Sequence, residues 1–386
     1  MPLPPMKTII LNKGKESSLL RKHRWVFSGA IANTSAKPEN GELVSVEDSQ
    51  GNYIGAGHYH NGSIAVRMLT FEKERVDQTF WNQRFQEAFE VRKGLGLLTK
   101  ETNCFRLIHA EGDGLPGCVV DIYNDCAVVQ SHTDGMANCS REITKALDNI
   151  KGLKLNSIYH RNLASKEHAF LKGKKEETEV LENGIKFKVN WVNGQKTGFF
   201  IDQRDNRALV GDYAKGRTVL NTFSYTGGFS VYALAKGAKK VTSVDISQPA
   251  IDLAVENATI NGLEKNHEAV CEDAFKFVEK ADGYDMIILD PPAFAKSIKA
   301  RHRAVQGYKR LNETALKKIA PNSLLFTFSC SQVVNPQMFE SAVLAAAINA
   351  GRNVRVLKRL GHAVDHPVNI YHPEGEYLKG LMLHVS

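Results

Sequence analysis

The sequence of 386 residues predicts the α/β fold class, with a parallel sheet in the C-terminal half and two smaller domains before it. From about residue 194 onward, strand-like and helix-like segments alternate, as they do in parallel sheets. Before about residue 71, short β-like runs are separated by turns, as in a small β-barrel or sandwich. The region between them mixes strands with helices. We therefore expect domains at residues 1–73, 74–190 and 191–386.

Three β-like runs define the first domain, at residues 8–11, 43–46 and 64–69, and turns containing Asn and Gly lie between the last two. A charged stretch at about 77–95 follows and is predicted to be a helix. Five apolar side chains are expected near one face of this helix: Phe80, Trp81, Phe85, Phe89 and Val91.

The middle domain contains a predicted β-hairpin, with strands at 118–123 and 127–130 around Asn124 and Asp125. Residues 166–182 are highly charged and include Gly173, which favours a solvated loop or a frayed helix.

The C-terminal half supplies the alternation of a parallel sheet. Strands are predicted at 217–221, 240–245, 284–290 and 324–329, and a further one is expected to end near residue 271. Helices are predicted at 229–236, 249–261 and 336–350.

Composition excludes several classes of protein. The hydrophobic fraction of 42% and the charged fraction of 24% are typical of globular domains, and no apolar stretch of about 18 residues is present. The N-terminal segment MPLPPMK lacks the charged-then-apolar order of a secretory signal. Six cysteines without CxxC spacing argue against a zinc site or a disulfide framework. We therefore expect a cytoplasmic protein without a bound metal.

The net charge of +8 and the isoelectric point near 9.0 favour a polyanionic partner such as RNA. Many basic proteins bind no nucleic acid, so charge alone leaves both interpretations open.

The loop after the first strand of the parallel sheet is the first candidate ligand site. Gly227 and Gly228 allow close approach of the backbone where a helix begins and presents free N–H groups. The loop lacks the GxGxxG pattern of a dinucleotide site, and it better suits a ligand without a pyrophosphate, such as S-adenosylmethionine.

Two acidic residues follow at the ends of the next strands. Asp245 is placed to accept both ribose hydroxyls of an adenosine. Asp273 can bond the adenine amine, with Phe275 close to the ring. Each feature alone has a structural alternative, because a glycine pair is often a plain turn and an aspartate at a strand end is often a helix cap.

Asp290 and Pro291 follow an apolar strand at the edge where open α/β sheets bind ligands, although a rigid exit from the strand is the alternative. Cys330 ends the next strand and is expected to face the same crevice, whereas a lone cysteine is more commonly a small buried hydrophobe. In a methyltransferase, a thiolate can add to C6 of a pyrimidine and make C5 nucleophilic. Asp290 would then bond the N3/N4 edge of cytosine.

Several segments together resemble the bacterial 23S rRNA cytosine-C5 methyltransferase family that carries a PUA domain. They are residues 19–29 (LLRKHRWVFSG), 111–117 (EGDGLPG), 197–204 (TGFFIDQR), 221–230 (NTFSYTGGFS), 290–294 (DPPAF), 328–331 (FSCS) and 371–380 (YHPEGEYLKG). The resemblance runs in order over nearly the whole chain. It implies an RNA-binding β-barrel PUA domain, a middle α+β domain and a C-terminal Rossmann-like class I methyltransferase domain. It also implies S-adenosylmethionine as cofactor, 23S rRNA as partner and a homodimer.

The resemblance assigns Cys330 as the nucleophile and Asp290 as its partner at the base. The expected cofactor-binding residues are Gln203, Arg204, Phe223, Ser224, Tyr225, Thr226, Gly227, Gly228, Asp245, Ile246, Asp273, Ala274, Asp290 and Pro291. The expected RNA-binding residues are His23, Arg24, Trp25 and Phe294. Two alternatives stay open: Trp25 as a core aromatic of the barrel, and Arg204 in a surface salt bridge rather than near the methionine carboxylate of the cofactor.

Many RNA cytosine-C5 methyltransferases carry a second cysteine just after the aspartate–proline motif, but this chain continues with Pro292 and Ala293. Ala293 also stands where PUA-linked members often have a basic residue. The base that removes the C5 proton is therefore unassigned among water, Asp290 and a residue near His366.

Three other functions are less well supported. An exocyclic-amine methyltransferase would place an aromatic residue directly after the proline pair, whereas Ala293 intervenes before Phe294, and it would leave Cys330 without a role. A non-catalytic RNA-binding or assembly protein would not need the glycine loop with Asp245 and Asp290. A small-molecule methyltransferase fits poorly with the basic charge and the long N-terminal extension.

Overall fold

The computed structural model describes residues 6–386, so the predictions that fall on Met1–Pro5 lie outside the described residues. Among those described, no helix combines the length and apolar character that crossing a bilayer requires. The chain divides into two compact units. The first comprises the residues up to 178 with 190–198 and 364–375, and the second comprises 179–189, 199–363 and 376–386.

The first unit begins with a six-stranded sheet in the order β2-β6-β5-β4-β1-β3. Its strands are β1 (Lys7–Leu11), β2 (Trp25–Phe27), β3 (Ile31–Thr34), β4 (Leu43–Glu47), β5 (Tyr53–Tyr59) and β6 (Ile64–Thr70), and a short helix α1 (Ser17–Leu20) follows β1. Alternate apolar residues of these strands form one core, for example Val44 with Val46 and Val66 with Met68. The three β-like runs of the sequence are confirmed as β1, β4 and β6.

Helix α2 (Gln78–Gly94) follows this sheet. It begins at Asp77, whose carboxylate accepts hydrogen bonds from the backbone N–H groups of residues 79 and 80. The four aromatic residues predicted on one face are buried, but the prediction for Val91 is wrong, since this side chain is 53% exposed. Val91 lies two positions after Phe89, which turns it to the opposite side of the helix.

The first unit also contains a five-stranded sheet in the order β11-β10-β9-β8-β7. Its strands are β7 (Cys104–His109), β8 (Cys118–Tyr123), β9 (Cys126–Ser131), β10 (Ser157–Asn162) and β11 (His168–Lys172), with helices α3 (Asp134–Asn138) and α4 (Ser140–Asp148) between β9 and β10. Strands β8 and β9 form the predicted hairpin. Its turn residue Asn124 has a φ of +57°, a conformation that Asn tolerates better than most residues.

The prediction of a loop or a frayed helix at residues 166–182 is wrong. This segment contains β11 and a further strand, β12 (Glu177–Glu182), which pairs with β13 (Ile185–Asn190). In β12 the exposed Glu177 and Glu179 alternate with the buried Thr178 and Val180. The charges therefore lie on one face of a strand and do not indicate a solvated loop.

The second unit is built on a seven-stranded sheet in the order β16-β15-β14-β17-β18-β20-β19. Its strands are β14 (Thr218–Thr222), β15 (Lys240–Asp245), β16 (His267–Cys271), β17 (Met286–Leu289), β18 (Ser323–Ser329), β19 (Val354–Leu360) and β20 (Lys379–Val385). Its helices are α5 (Arg204–Ala214), α6 (Gly228–Ala235), α7 (Gln248–Thr259), α8 (Ala274–Val278), α9 (Arg301–Lys318) and α10 (Pro336–Ala350). The strands and helices predicted for this half are confirmed within a few residues.

The order of the strands in this sheet indicates where a ligand would bind. Strands β14 to β18 are parallel, and β20 runs antiparallel to both of its neighbours. The chain enters the sheet at β14, continues outward through β15 and β16, and then returns to the other side of β14 as β17. Ligands of open α/β sheets bind at such a switch point, beyond the carboxyl ends of the strands.

Candidate active site

The loop between β14 and α6 is held in a strained conformation. Phe223 and Tyr225 have φ values of +54° and +44°, which cost a bulky residue on the order of 1–3 kcal/mol each. Backbone hydrogen bonds to the next strand fix the loop, from Ser224 N–H to Val244 O at 3.0 Å and from Tyr225 N–H to an Asp245 carboxylate oxygen at 2.9 Å. Such strain is characteristic of ligand-binding turns.

Gly227 and Gly228 form the junction with α6. Gly227 has a φ of +74°, and a Cβ at this position would lie 2.9 Å from the Cβ of Ala254. A Cβ on Gly228 would lie 2.9 Å from the Cδ of Arg207. The two glycines therefore serve close packing and the turn itself, while Thr226 is fixed through its carbonyl by Asn257 at 2.9 Å.

Asp245 lies at the carboxyl end of β15, as predicted. One carboxylate oxygen accepts from Tyr225 N–H and the other from Ser247 N–H, both at 2.9 Å. These bonds orient the carboxylate at the edge of the sheet, and the next residue, Ile246, is 72% exposed.

Asp273 begins α8 and caps it. One carboxylate oxygen accepts from the N–H groups of Phe275 at 2.8 Å and Lys276 at 3.2 Å. Ala274, the first residue of the helix, is buried. The ring of Phe275 packs edge-on against Phe223 at 6.0 Å, so the ends of β14 and β16 are joined by an aromatic contact.

Asp290 and Cys330 follow two adjacent strands. β17 and β18 are paired in register, with Leu289 opposite Thr327, so both residues leave the sheet at the same edge. The Cys330 Sγ is 3.9 Å from the carbonyl oxygen of Pro291, and both Cys330 and Asp290 are partly exposed. The structure therefore brings together the cysteine and the aspartate motif that were separated by 40 positions in the sequence.

Lys379 was missed by the sequence interpretation. It begins β20 opposite Ser329, and its ammonium donates to the carbonyl oxygens of Ser331 at 2.6 Å and Val334 at 2.7 Å. The side chain is only 7% exposed, and among residues 6–386 it forms no ion pair with a carboxylate. Burial lowers the pKa of Lys379 to about 8, while the negative charges of the Cys330 thiolate and the Glu376 carboxylate act in the opposite direction. The signal available in the sequence was a lysine at the head of the apolar run LMLHV.

Tyr308, on α9, is a second buried group near Cys330 and Asp290. Burial raises the pKa of its hydroxyl to about 12, and the neighbouring Cys330 and Asp290 act in the same direction. Its ring packs against Phe294 at 4.5 Å. Phe294, predicted to contact RNA, is thus partly buried among aromatic residues.

Gln203 and Arg204 are both buried at the start of α5. Gln203 accepts from Asn206 Nδ2 at 2.6 Å, and the Arg204 Nε lies 3.4 Å from a carboxylate oxygen of Glu182. This pair is no surface salt bridge, because Arg204 is 2% exposed and Glu182 is fully buried. Their contact with a cofactor stays a prediction.

The other predicted RNA-binding residues lie in the first unit. Arg24 donates to the carbonyl oxygens of residues 68, 69 and 114, and burial lowers its pKa to about 10. Trp25 Nε1 donates to Glu111 at 2.9 Å, and His23 Nε2 lies 3.3 Å from Glu374. Their polar groups are therefore engaged within the protein.

His366, near which a base was considered, also belongs to the first unit. It is buried, bonded to Asp365 at 2.9 Å and packed on the ring of His109 at 4.9 Å. It therefore belongs to a packed cluster of its own unit.

The residues at the ends of β14 and β15 fit an adenosyl ligand. The Ser224 hydroxyl is buried in the strained loop and makes no hydrogen bond within residues 6–386, so a ligand would satisfy it. Asp245 presents an oriented carboxylate at the position that suits ribose hydroxyls.

Comparisons with known proteins agree with this geometry. A family model described as S-adenosylmethionine-dependent methyltransferase matches residues 142–368, and one described as a PUA-like domain matches residues 9–71. Relatives from Tolumonas auensis and Aeromonas salmonicida, both named ribosomal RNA large subunit methyltransferase I, are 40% and 41% identical over 97% of this chain and 98% of their own. A crystal structure of SMU.776, described as a methyltransferase complexed with SAH, has a TM-score of 0.87 at 25% identity and covers 98% of this chain and 99% of its own. These matches confirm the resemblance found in the sequence. The chain belongs to the S-adenosylmethionine-dependent methyltransferases, in the family of ribosomal RNA large subunit methyltransferase I.

Proposed function

We propose that this enzyme methylates C5 of a cytosine in 23S rRNA, with Cys330 as the nucleophile. The observation that carries the proposal is the position of the Cys330 Sγ, 3.9 Å from the Pro291 carbonyl and at the same sheet edge as Asp290. The names of the relatives, which specify ribosomal RNA of the large subunit, support the substrate class. The basic net charge of +8 supports it as well.

S-adenosylmethionine, when bound, supplies an electrophilic methyl group. The residues that would hold it are those of the loop 223–228 with Gln203, Arg204, Asp245, Ile246, Asp273, Ala274, Asp290 and Pro291. Ser224 and Asp245 would bind its polar groups, and Phe275 would border the adenine ring.

The chain's own chemistry centres on Cys330. Its thiolate adds to C6 of cytosine, and the electron pair of the C5–C6 double bond makes C5 nucleophilic. Asp290 accepts a hydrogen bond from the exocyclic amine and holds the ring in place. After C5 has gained the methyl group, a base removes the C5 proton, the double bond re-forms, and the C6–S bond breaks to restore the thiolate.

Lys379 acts as a positioning residue for this step. Its ammonium is bound to the backbone on both sides of the turn that follows Cys330, through Ser331 and Val334. A buried cation that makes no salt bridge within residues 6–386 favours anions near it, and the Cys330 thiolate acts on Lys379 more strongly than the Glu376 carboxylate does.

RNA binding by the N-terminal PUA-like domain is part of the same proposal. In this proposal the domain at 1–73 binds RNA, the domain at 74–190 supports the other two, and the domain at 191–386 carries out catalysis. The proposed RNA contacts are His23, Arg24, Trp25 and Phe294. A homodimer and a cytoplasmic location are also expected; light scattering of the purified protein and fluorescence imaging of a tagged chain test them.

The test compares wild type with Cys330→Ala on transcribed 23S rRNA, with methylated nucleosides identified by mass spectrometry. We expect 5-methylcytidine from wild type and none from Cys330→Ala, while calorimetry shows unchanged binding of S-adenosylhomocysteine to both. An RNA containing 5-fluorocytidine should form a covalent adduct with wild type only, because fluorine at C5 blocks the elimination. Methylation of an exocyclic amine, retained in Cys330→Ala, would overturn the proposal.

A further inference from the structure

A strongly basic segment follows the active-site aspartate. Residues 296–310 contain three lysines and three arginines, and no carboxylate is present between Pro291 and Asn312. This segment of 15 residues therefore carries six positive charges in a chain whose net charge is +8.

Within residues 6–386, none of these charges is held in a salt bridge. Lys296, Lys299, Arg303 and Arg310 are exposed, and Arg301 and Lys309 are partly exposed. In the part of the chain that the structure describes, none of the six forms an ion pair with a carboxylate. The next lysines along the helix differ, since Lys317 pairs with Glu313 at 2.6 Å and Lys318 with Asp282 at 3.0 Å.

The charges are also placed where they do not stabilise the helix. Arg301 and Arg303 lie in the first turn of α9, which has no acidic residue and no side-chain cap. The positive end of the helix dipole disfavours cations there by a few tenths of a kcal/mol to about 1 kcal/mol each. A stabilising role therefore does not explain them.

Both ends of the segment are fixed at the active site. The carbonyl oxygen of Ala295 accepts from Ser331 Oγ at 2.7 Å, directly after Cys330. At the other end, the Arg310 guanidinium lies 5.5 Å from the ring centre of Phe275, which packs against Phe223 of the loop. The basic segment thus forms part of the rim of the candidate active site.

We propose that residues 296–310 bind the phosphates that flank the target nucleotide of the RNA substrate. This inference rests on the proposed function, because it takes the substrate to be RNA. A base that reaches Cys330 brings its neighbouring phosphates to the rim of the same site, and arginine and lysine are the residues that bind phosphate. Arg303, Gln306 and Arg310 are spaced three and four positions apart, so they line one side of α9.

The experiment uses the full-length protein and transcribed 23S rRNA. The triple variant Lys299→Gln, Arg301→Gln, Arg303→Gln removes three charges from the rim. The matched control, Lys215→Gln, Lys239→Gln, Lys265→Gln, removes three exposed charges that precede the amino ends of β14, β15 and β16, on the opposite edge of the sheet. RNA affinity is measured at several salt concentrations, and calorimetry measures S-adenosylhomocysteine binding.

We expect the rim variant to bind RNA at least about tenfold more weakly at moderate salt, with the slope of log K against log salt reduced by about 2. The control should change affinity by no more than about threefold, and all three proteins should bind S-adenosylhomocysteine equally. An unchanged slope in the rim variant, or an equal loss in the control, would overturn the inference. If wild type itself fails to bind and methylate the RNA, the proposed function fails instead, which is a different result.

Discussion

Replacement of Lys379 by methionine is expected to raise the pKa of the Cys330 thiol. Methionine keeps an unbranched chain of similar length and removes the charge. Because burial lowers the pKa of Lys379 only to about 8, its ammonium is still largely protonated at pH 7. An opposite charge close to an ionisable group shifts its pKa by about 1–3 units. Even a shift of about one unit leaves roughly tenfold less thiolate at neutral pH, and methylation should slow by the same factor.

The assay is the rate of alkylation of Cys330 by iodoacetamide as a function of pH, followed by mass spectrometry of its peptide. Lys358→Met is the control, because this exposed lysine lies on β19 and pairs in register with Met382 of β20. Lys379→Met also deprives two carbonyl groups of a hydrogen-bond donor, which costs about 1–3 kcal/mol of stability. The unfolding of this variant is therefore measured in parallel. A folded Lys379→Met protein with the same alkylation pKa as wild type would refute the reasoning.

Two further predictions concern stability. Arg207→Met removes three hydrogen bonds of 2.8–2.9 Å from the fully buried Glu182 and leaves Arg204 as the remaining cation beside it. Urea unfolding should show a loss of free energy of unfolding of at most about 3–5 kcal/mol, part of which Glu182→Gln in the same chain restores. An equal loss in the single and double variants would contradict this. Burial lowers the pKa of His58 to about 4, so as the pH drops the unfolded state binds a proton at this residue before the folded state does. This histidine alone should therefore remove roughly 3 kcal/mol of the free energy of unfolding between pH 6.5 and pH 4. A His58→Gln variant should lose less stability over this pH range than wild type does, and identical curves for the two proteins would disprove the assignment.

The sequence predicted the parallel part of the second unit well, because its strands are short apolar runs that alternate with helices of regular period. The two antiparallel strands, β19 and β20, and helix α9 were not predicted. Helix α9 is amphipathic but opens with RHR, and a cluster of basic residues does not indicate where a helix begins. Residues 166–182 were misjudged for a related reason, since their charges alternate with buried residues at the period of a strand.

The site was predicted as a set of motifs, but its connections come from the tertiary structure. Cys330 and Asp290 were placed at neighbouring strand ends by the regular order of a parallel sheet, which sequence reasoning can follow. Lys379 reaches Ser331 only because β20 enters the sheet antiparallel to β18, in a register that places it opposite Ser329. No local pattern specifies that register, so the residue could not be identified from its own neighbours in the sequence.

Two features of the second unit cost stability at the same edge of the sheet. The loop at Phe223 and Tyr225 holds two bulky residues at positive φ, and Lys379 is buried without a salt bridge to a carboxylate of residues 6–386. Folding alone would favour glycine in the loop and an apolar residue on β20. The proposed function gives both departures a use at this position: the strained loop would offer its backbone and the Ser224 hydroxyl to a ligand, and the lysine would favour an anion at Cys330. Their coincidence with the strand ends of β14, β17 and β18 supports the proposal that the reaction takes place at this edge of the sheet.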